Sequence, residues 1–180
     1  GFGLIAHIEG EPSHKVVRTA IHALARMQHR GAILADGKTG DGCGLLLQKP
    51  DRFFRIVAEE RGWRLAKNYA VGMLFLNKDP ELAAAARHVV EEELQRETLS
   101  IVGWRDVPTD NSSLGETAKA GEPMVRQLFL QPLDSGLDED AFNRKLYLVN
   151  QRAIHEIRDI NVDPYWYVAS ISTRTIIYKG

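Results

Sequence analysis

Cysteine is almost absent from this chain: Cys43 is the only one among 180 residues. A lone thiol closes no internal disulfide, and no basic leader followed by an apolar run opens the sequence, which together predict a reducing, cytoplasmic setting. Excess charge is also missing. Lys and Arg number 23 against 24 Asp and Glu, a formal net charge of -1, so no surplus of positive charge exists to hold a phosphate backbone, and a nucleic-acid partner is excluded. No apolar stretch approaches the roughly 20 residues that a membrane-spanning helix needs. What remains is ordinary: 44% hydrophobic and 26% charged residues describe a globular protein and exclude a disordered or fibrous one. A chain of this length buries roughly 70% of its unfolded surface when compact, enough for one sizeable core, so one domain is the expectation.

Apolar periodicity sets out the elements. Gly3 to Ile8 is a short apolar run closed by Gly10 and Pro12, read as a buried strand. Ser13 can cap a helix whose stripe is Val17, Ala20, Leu24 and Met27, with His14, Arg18, His22 and Arg26 opposite and Gly31 as its stop. Four glycines follow within Gly37 to Gly44, so the backbone there turns tightly or lies against something. Leu45 to Leu47 resumes as a strand, and Asp51 can cap a short helix through Phe53, Phe54 and Val57 that Gly62 ends. From Ala70 the order becomes βαββαβ. Strands are read at Ala70 to Leu76, Ser100 to Val107, Val125 to Gln131 and Tyr165 to Ile171, with a further one at Thr175 to Tyr178. Asp79 caps a helix burying Leu82, Ala86, Val89, Val90 and Leu94; Asp138 caps one burying Phe142, Leu146, Val149, Ala153 and Ile157. Thr109 to Glu122 is the most loop-like stretch.

Several motifs invite chemistry and fail on spacing. The six histidines do not group with acids or with Cys43 as a metal site requires, and Arg18 between His14 and His22 would repel a cation. Gly37-Lys38-Thr39 resembles the end of a phosphate loop, but Ala32 stands where that loop needs glycine and no helix follows. Asn111-Ser112-Ser113 fits a glycosylation sequon that has no secretory context. Cys43 could be a nucleophile exposed by the glycine-rich loop; as a single thiol at the mouth of an apolar strand it reads instead as a small buried hydrophobe.

Three segments taken together carry a resemblance: Gly1-Phe2-Gly3-Leu4-Ile5-Ala6-His7-Ile8, Met27-Gln28-His29-Arg30-Gly31 and Asp36-Gly37-Lys38-Thr39-Gly40-Asp41-Gly42. They resemble the amino-terminal class II glutamine amidotransferase domain of the glutamate synthase large subunit, and the likeness continues through Val102 to Pro108 and Ile176 to Gly180. The resemblance implies an α+β protein of the N-terminal-nucleophile hydrolase type, an αββα sandwich of two packed antiparallel sheets. Residues 1–180 would be its first part, truncated downstream. It implies a cysteine nucleophile directly before Gly1, whose own α-amino group is the general base, attacking the side-chain amide of glutamine to release ammonia. A synthase region of the same polypeptide would use the ammonia to make glutamate from 2-oxoglutarate with FMN, an iron–sulfur cluster and NADPH or ferredoxin. A small electron-transfer subunit is a further implied partner.

The chain departs from that pattern. It opens at Gly1 without the nucleophile, and no Asn-Gly dipeptide stands in for the family's oxyanion pair, so the chain alone is expected to be inactive. Of the residues present, Arg30 and Gly31, then Asp41 and Gly42, are the expected lining of the glutamine pocket. Arg30 also reads as a helix C-terminal cation, and Asp41 as a turn acid bonding nearby amides. No catalytic or metal-binding residue is assigned within the chain. A rival expectation is a non-catalytic binding or interaction module whose βαββαβ run closes into a ferredoxin-like sheet; a third is a hydrolase using Cys43. A strand at Gly3 to Ile8 packed on Cys43 to Gln48 points to the first reading, and a compact unit over residues 70–178 with a loose amino-terminal third to the second.

Overall fold

The computed structural model describes residues 1–27, 33–40 and 42–179. It divides into two compact units, one of Gly1–Leu45, Asp110–Gly121 and Lys179–Gly180, the other of Leu46–Thr109 and Glu122–Tyr178.

In the first unit, α1 (His14–Ala25) begins at Ser13, whose hydroxyl accepts from the Val16 amide at 3.4 Å. Val17, Ala20, Leu24 and Met27 are half-buried, whereas His14, Arg18, His22 and Arg26 are exposed, so the expected amphipathic phase holds. The helix stops at Ala25, ahead of the expected stop at Gly31, which lies outside the described residues. The strand expected at Gly3 to Ile8 is not formed, and Phe2, Leu4 and Ile8 stand almost fully in solvent. An apolar run becomes a strand only where a ladder partner takes its backbone groups, and among the described residues none pairs with it. The polar stretch 109–122 contains one short helix, α4 (Glu116–Ala120).

The second unit is built on a four-stranded antiparallel sheet. Its strands are β2 (Ala70–Leu76), β3 (Leu99–Asp106), β4 (Met124–Pro132) and β5 (Tyr167–Ser172), in the order β3-β4-β2-β5. With α3 (Pro80–Arg96) and α5 (Glu139–Ala153) as crossovers this is the ferredoxin-like arrangement of a βαββαβ run. Alternation divides the central strands between two cores. Ala70, Leu74, Leu76, Leu128 and Leu130 face α3 and α5, while Val71, Met73 and Phe129 face Phe54, Val57, Tyr69 and Ile176. Both faces are covered, which is why Ala70 to Leu76 reads as a continuous apolar run.

The helices follow their sequence signals closely. Asp79 accepts from the Glu81 and Leu82 amides, Asp138 from the Ala141 amide, and the whole expected stripe of α5 is buried as far as Ile157. Beyond Ala153 the helix continues as a π-helical turn, Ile154–Ile160. In α3 the buried residue of the first turn is Ala83, one position from the expected Leu82, which is exposed. In α2 (Asp51–Glu59) Asp51 does not cap; its carboxylate pairs with Arg55 at 2.8 Å, and Phe53 stays exposed while Phe54 is buried. Gly62, at φ 70, does end α2: its amide bonds Glu59 O at 2.9 Å and the Trp63 amide bonds Ala58 O at 2.8 Å. A two-stranded sheet joins β1 (Gly44–Gln48) to β6 (Thr175–Lys179).

Two close approaches in this unit generate predictions. The register of β3 on β4 shifts between Ile101 and Gly103, and the Trp63 ring lies so near Gly103 that a Cβ there would run into it. Trp63 in turn packs on Phe129 with ring centroids 5.5 Å apart. Gly103→Ala is therefore expected to lose about 1–3 kcal/mol in urea denaturation, and Trp63→Leu to remove most of that difference in the double variant. An unchanged midpoint for Gly103→Ala contradicts the contact.

Lys49 leaves β1 with its ammonium 3.6 Å from the centre of the Tyr69 ring, donating to Tyr69 O at 2.8 Å. Burial pushes its pKa down to about 8, with Arg55 adding to the effect and Asp51 opposing it. A lysine that titrates lower when folded binds fewer protons than the unfolded chain between about 8 and 10.5, so this group adds stability as pH rises through that window. Compared with Lys49→Met, the parent should gain stability between pH 7 and pH 10, read by urea midpoints at both values. A parallel pH dependence in the two proteins refutes it.

Candidate functional site

The glycine-rich segment forms a small hairpin. Ile33 bridges Gly40, the Leu34 amide bonds Thr39 O at 2.7 Å, and the Gly37 amide bonds Leu34 O at 3.0 Å. Gly37 sits at φ 66, the left-handed conformation that closes the turn and that glycine adopts without steric cost. Asp36 organises the loop: its carboxylate accepts from the Lys38 amide at 3.0 Å, the Thr39 amide at 2.8 Å and the Thr39 hydroxyl. The Thr39 hydroxyl, followed by the two amides, holds the Asp36 pKa below its ordinary value. Against this turn lies Gly115, the residue before α4. It is buried, and a Cβ on it would strike both Asp36 Oδ2 and Thr39 Oγ1.

Of the expected pocket residues, Arg30, Gly31 and Asp41 lie outside the described residues. Gly42 is described; it is exposed and immediately precedes Cys43 and β1. Cys43 is exposed and free, which corrects the expectation of a buried thiol. Pairing in β1 begins at Gly44, and the inward positions of that strand are Leu45 and Leu47, so Cys43 falls ahead of the covered part. Among the described residues no group of three or more His, Cys, Asp or Glu side chains is arranged to hold a metal ion.

The segment Val102 to Pro108 has a role in packing and polar pairing. Gly103 admits Trp63, and the Arg87 guanidinium lies 4.9 Å from the Trp104 ring. Arg105 Nη1 donates to Gln127 Oε1 at 2.6 Å, and Asp106 pairs with Arg126 at 2.9 Å. Gln127, fully buried, passes its amide to the Tyr178 hydroxyl at 3.3 Å and so connects β3 and β4 to β6.

The sequence over residues 1–180 matches the family described as glutamine amidotransferases class-II. The chain belongs to that family. It is 34% identical to the glutamate synthase [NADPH] large chain of Bacillus subtilis over 180 residues, all of this chain and 12% of the relative. It is 37% identical to the glutamate synthase [NADPH] large chain of Azospirillum brasilense over 182 residues, again all of this chain and 12% of the relative. A third relative, the chloroplastic ferredoxin-dependent glutamate synthase 2 of Arabidopsis thaliana, is 34% identical over all of this chain and 11% of its own length. The chain thus spans about an eighth of the curated relatives it matches. For a class-II amidotransferase of this kind the described fold is α+β with antiparallel sheets. Cys43, the single cysteine, cannot by itself supply the several thiolates that an iron–sulfur cluster takes.

The glycines of the turn stand out in the sequence, but the contacts that hold it do not. The dipeptide Asp36-Gly37 beside Ile33 and Leu34 is a hairpin signal that could have located it. Gly115 carried no signal, since its requirement comes from residues far away in the chain. Exposure makes one reagent test direct. Ellman's reagent should titrate one thiol in the folded chain as fast as in denaturant, and Cys43→Ala should move stability by less than about 0.5 kcal/mol. A thiol that reacts only on unfolding contradicts the placement of Cys43.

Proposed function

We propose that this chain is the first part of the glutaminase domain of a glutamate synthase, with an αββα sandwich completed by sequence that follows it in the parent protein. The observation that carries the reading is the match of the whole chain to class-II glutamine amidotransferases, with glutamate synthases as its relatives. The nucleophile is a cysteine directly before Gly1, its α-amino group the general base, and Arg30, Gly31, Asp41 and Gly42 line the pocket that receives glutamine. Ammonia released there serves glutamate formation from 2-oxoglutarate in a synthase region of the same cytoplasmic polypeptide. That region holds FMN and the iron–sulfur cluster, and it draws electrons from NADPH or ferredoxin, with or without a small electron-transfer subunit.

A second reading concerns part of the chain. The βαββαβ run closes into the ferredoxin-like order with its own two-faced core, which supports a non-catalytic interaction module carried within the amidotransferase domain. The absence of a strand at Gly3 to Ile8 and the compact unit around the sheet are what this rival reading expects, and the match of the whole chain to class-II glutamine amidotransferases is what gives the first reading precedence.

The test is glutamine hydrolysis by the full-length protein. Serine in place of the cysteine before Gly1 should lower the rate by at least about 10³-fold, while Cys43→Ser leaves it unchanged. Ammonia release by the unmodified 180-residue chain, abolished by Cys43→Ser, would overturn the assignment in favour of a hydrolase using Cys43.

A further inference from the structure

The excursion 110–121 is covalently flanked by β3 and β4, yet it forms one compact unit with Gly1–Leu45. Its own bonds shape it: the Ser112 amide bonds the Asp110 carboxylate at 3.0 Å, the Leu114 amide bonds Asn111 O at 3.2 Å, and the Lys119 amide bonds Gly115 O at 3.0 Å. This brings Gly115 against Asp36 and Thr39. Gly115 has φ -71 and ψ 163, a conformation open to any residue, so glycine is required there for space and not for backbone freedom. The atoms it touches, Asp36 Oδ2 and Thr39 Oγ1, are the hydrogen-bonded pair that closes the turn. Any side chain at 115 must push that pair apart or lift the excursion away.

We propose that the 110–121 excursion positions the glycine-rich turn Asp36–Gly40 that leads into the glutamine pocket, with Gly115 as its positioning residue. The inference rests on the glutaminase reading above, which places Asp41 and Gly42 at the pocket. Gly115 touches neither substrate nor reacting atoms; it fixes the turn from which those residues leave. Displacement by even an ångström at a substrate-positioning segment costs about 10²-fold in favourable cases, so a single methyl group at Gly115 has leverage on the reaction.

The test uses Gly115→Ala in the full-length protein, with Thr39→Val as a milder second variant that removes the hydroxyl bond to Asp36 and keeps the volume. Three quantities are read. Amide exchange at Lys38 and Thr39 should be at least about tenfold faster in both variants, because the bonds that protect them are loosened. The kcat/KM for glutamine should fall about 10- to 100-fold in Gly115→Ala, and less in Thr39→Val. Glutamate formation from ammonia supplied directly should stay at the parent level, showing that the rest of the protein is folded. Unchanged exchange in Gly115→Ala overturns the proposal, and so does faster exchange with unchanged kcat/KM. If the parent itself hydrolyses no glutamine, the glutaminase reading fails and takes the catalytic half of this proposal with it. The exchange data alone then decide whether the excursion holds the hairpin.

Discussion

The second unit depends on the pairing of β2 with β4, because these two strands are buried on both faces, with α3 and α5 packed on one and α2 and β6 on the other. Leu128 and Leu130 on one side and Phe129 on the other are fully buried, so a one-residue slip of register would exchange two differently shaped cores. The register Ala70 to Leu130 through Leu76 to Met124 is therefore specified twice, once by the helices and once by the aromatic group of Phe54, Trp63 and Phe129. Such a sheet needs both covers, and the order β3-β4-β2-β5 places the doubly covered pair in the middle.

Two polar side chains that this arrangement buries, Gln127 and Glu93, are matched in place. Gln127 lies on the aromatic face with no exposure, and its carboxamide is used at both ends by Arg105 and Tyr178. On the helical side Glu93 is buried between Arg96 at 2.6 Å and Arg152 at 3.5 Å, and Glu97 receives Arg152 at 2.8 Å and Lys145 at 3.5 Å. These pairs tie the end of α3 to α5. Removing one partner would leave a buried charge exposed to the full cost of its desolvation, so they fix how the helices meet more than they add net stability.

Legibility followed the range of the forces involved. The stripe of α5, the cap Asp79 and the stop Gly62 are local signals, and each was readable from neighbours within a turn or two. The strand expected at Gly3 to Ile8 failed because apolar content does not supply a ladder partner. Leu82 and Ala83 changed places in the burial pattern because a helix start leaves the phase open by one residue. Thr98 and Val162, at φ 57 and 55, are β-branched residues in a conformation that sequence assigns to glycine or asparagine, so tertiary context alone puts them there. The requirement for glycine at 103 and at 115 comes likewise from Trp63 and from Asp36 with Thr39, contacts that no spacing rule encodes. The family resemblance agrees with the match of the whole chain, while Arg30, Gly31, Asp41 and Gly42 as pocket residues rest on that resemblance alone.

The two units differ in what holds them. Every fully buried apolar side chain among the described residues, from Phe54 to Ile176, belongs to the second unit. In the first, α1 has no buried residue and its apolar face is only half-covered. Yet the first unit carries the segments that resemble the family's pocket. Segments with few buried apolar contacts open at low free energy, and functional loops are commonly drawn from that end of the stability range. Their geometry must then come from directional contacts, not from a core. In this chain those contacts are the carboxylate of Asp36, which gathers two amides and a hydroxyl, and the bare backbone of Gly115 that seals them. A glycine-rich segment can approach a substrate closely because it lacks side chains, and for the same reason it cannot anchor itself; the anchor has to be supplied by residues on either side of it and by a distant loop.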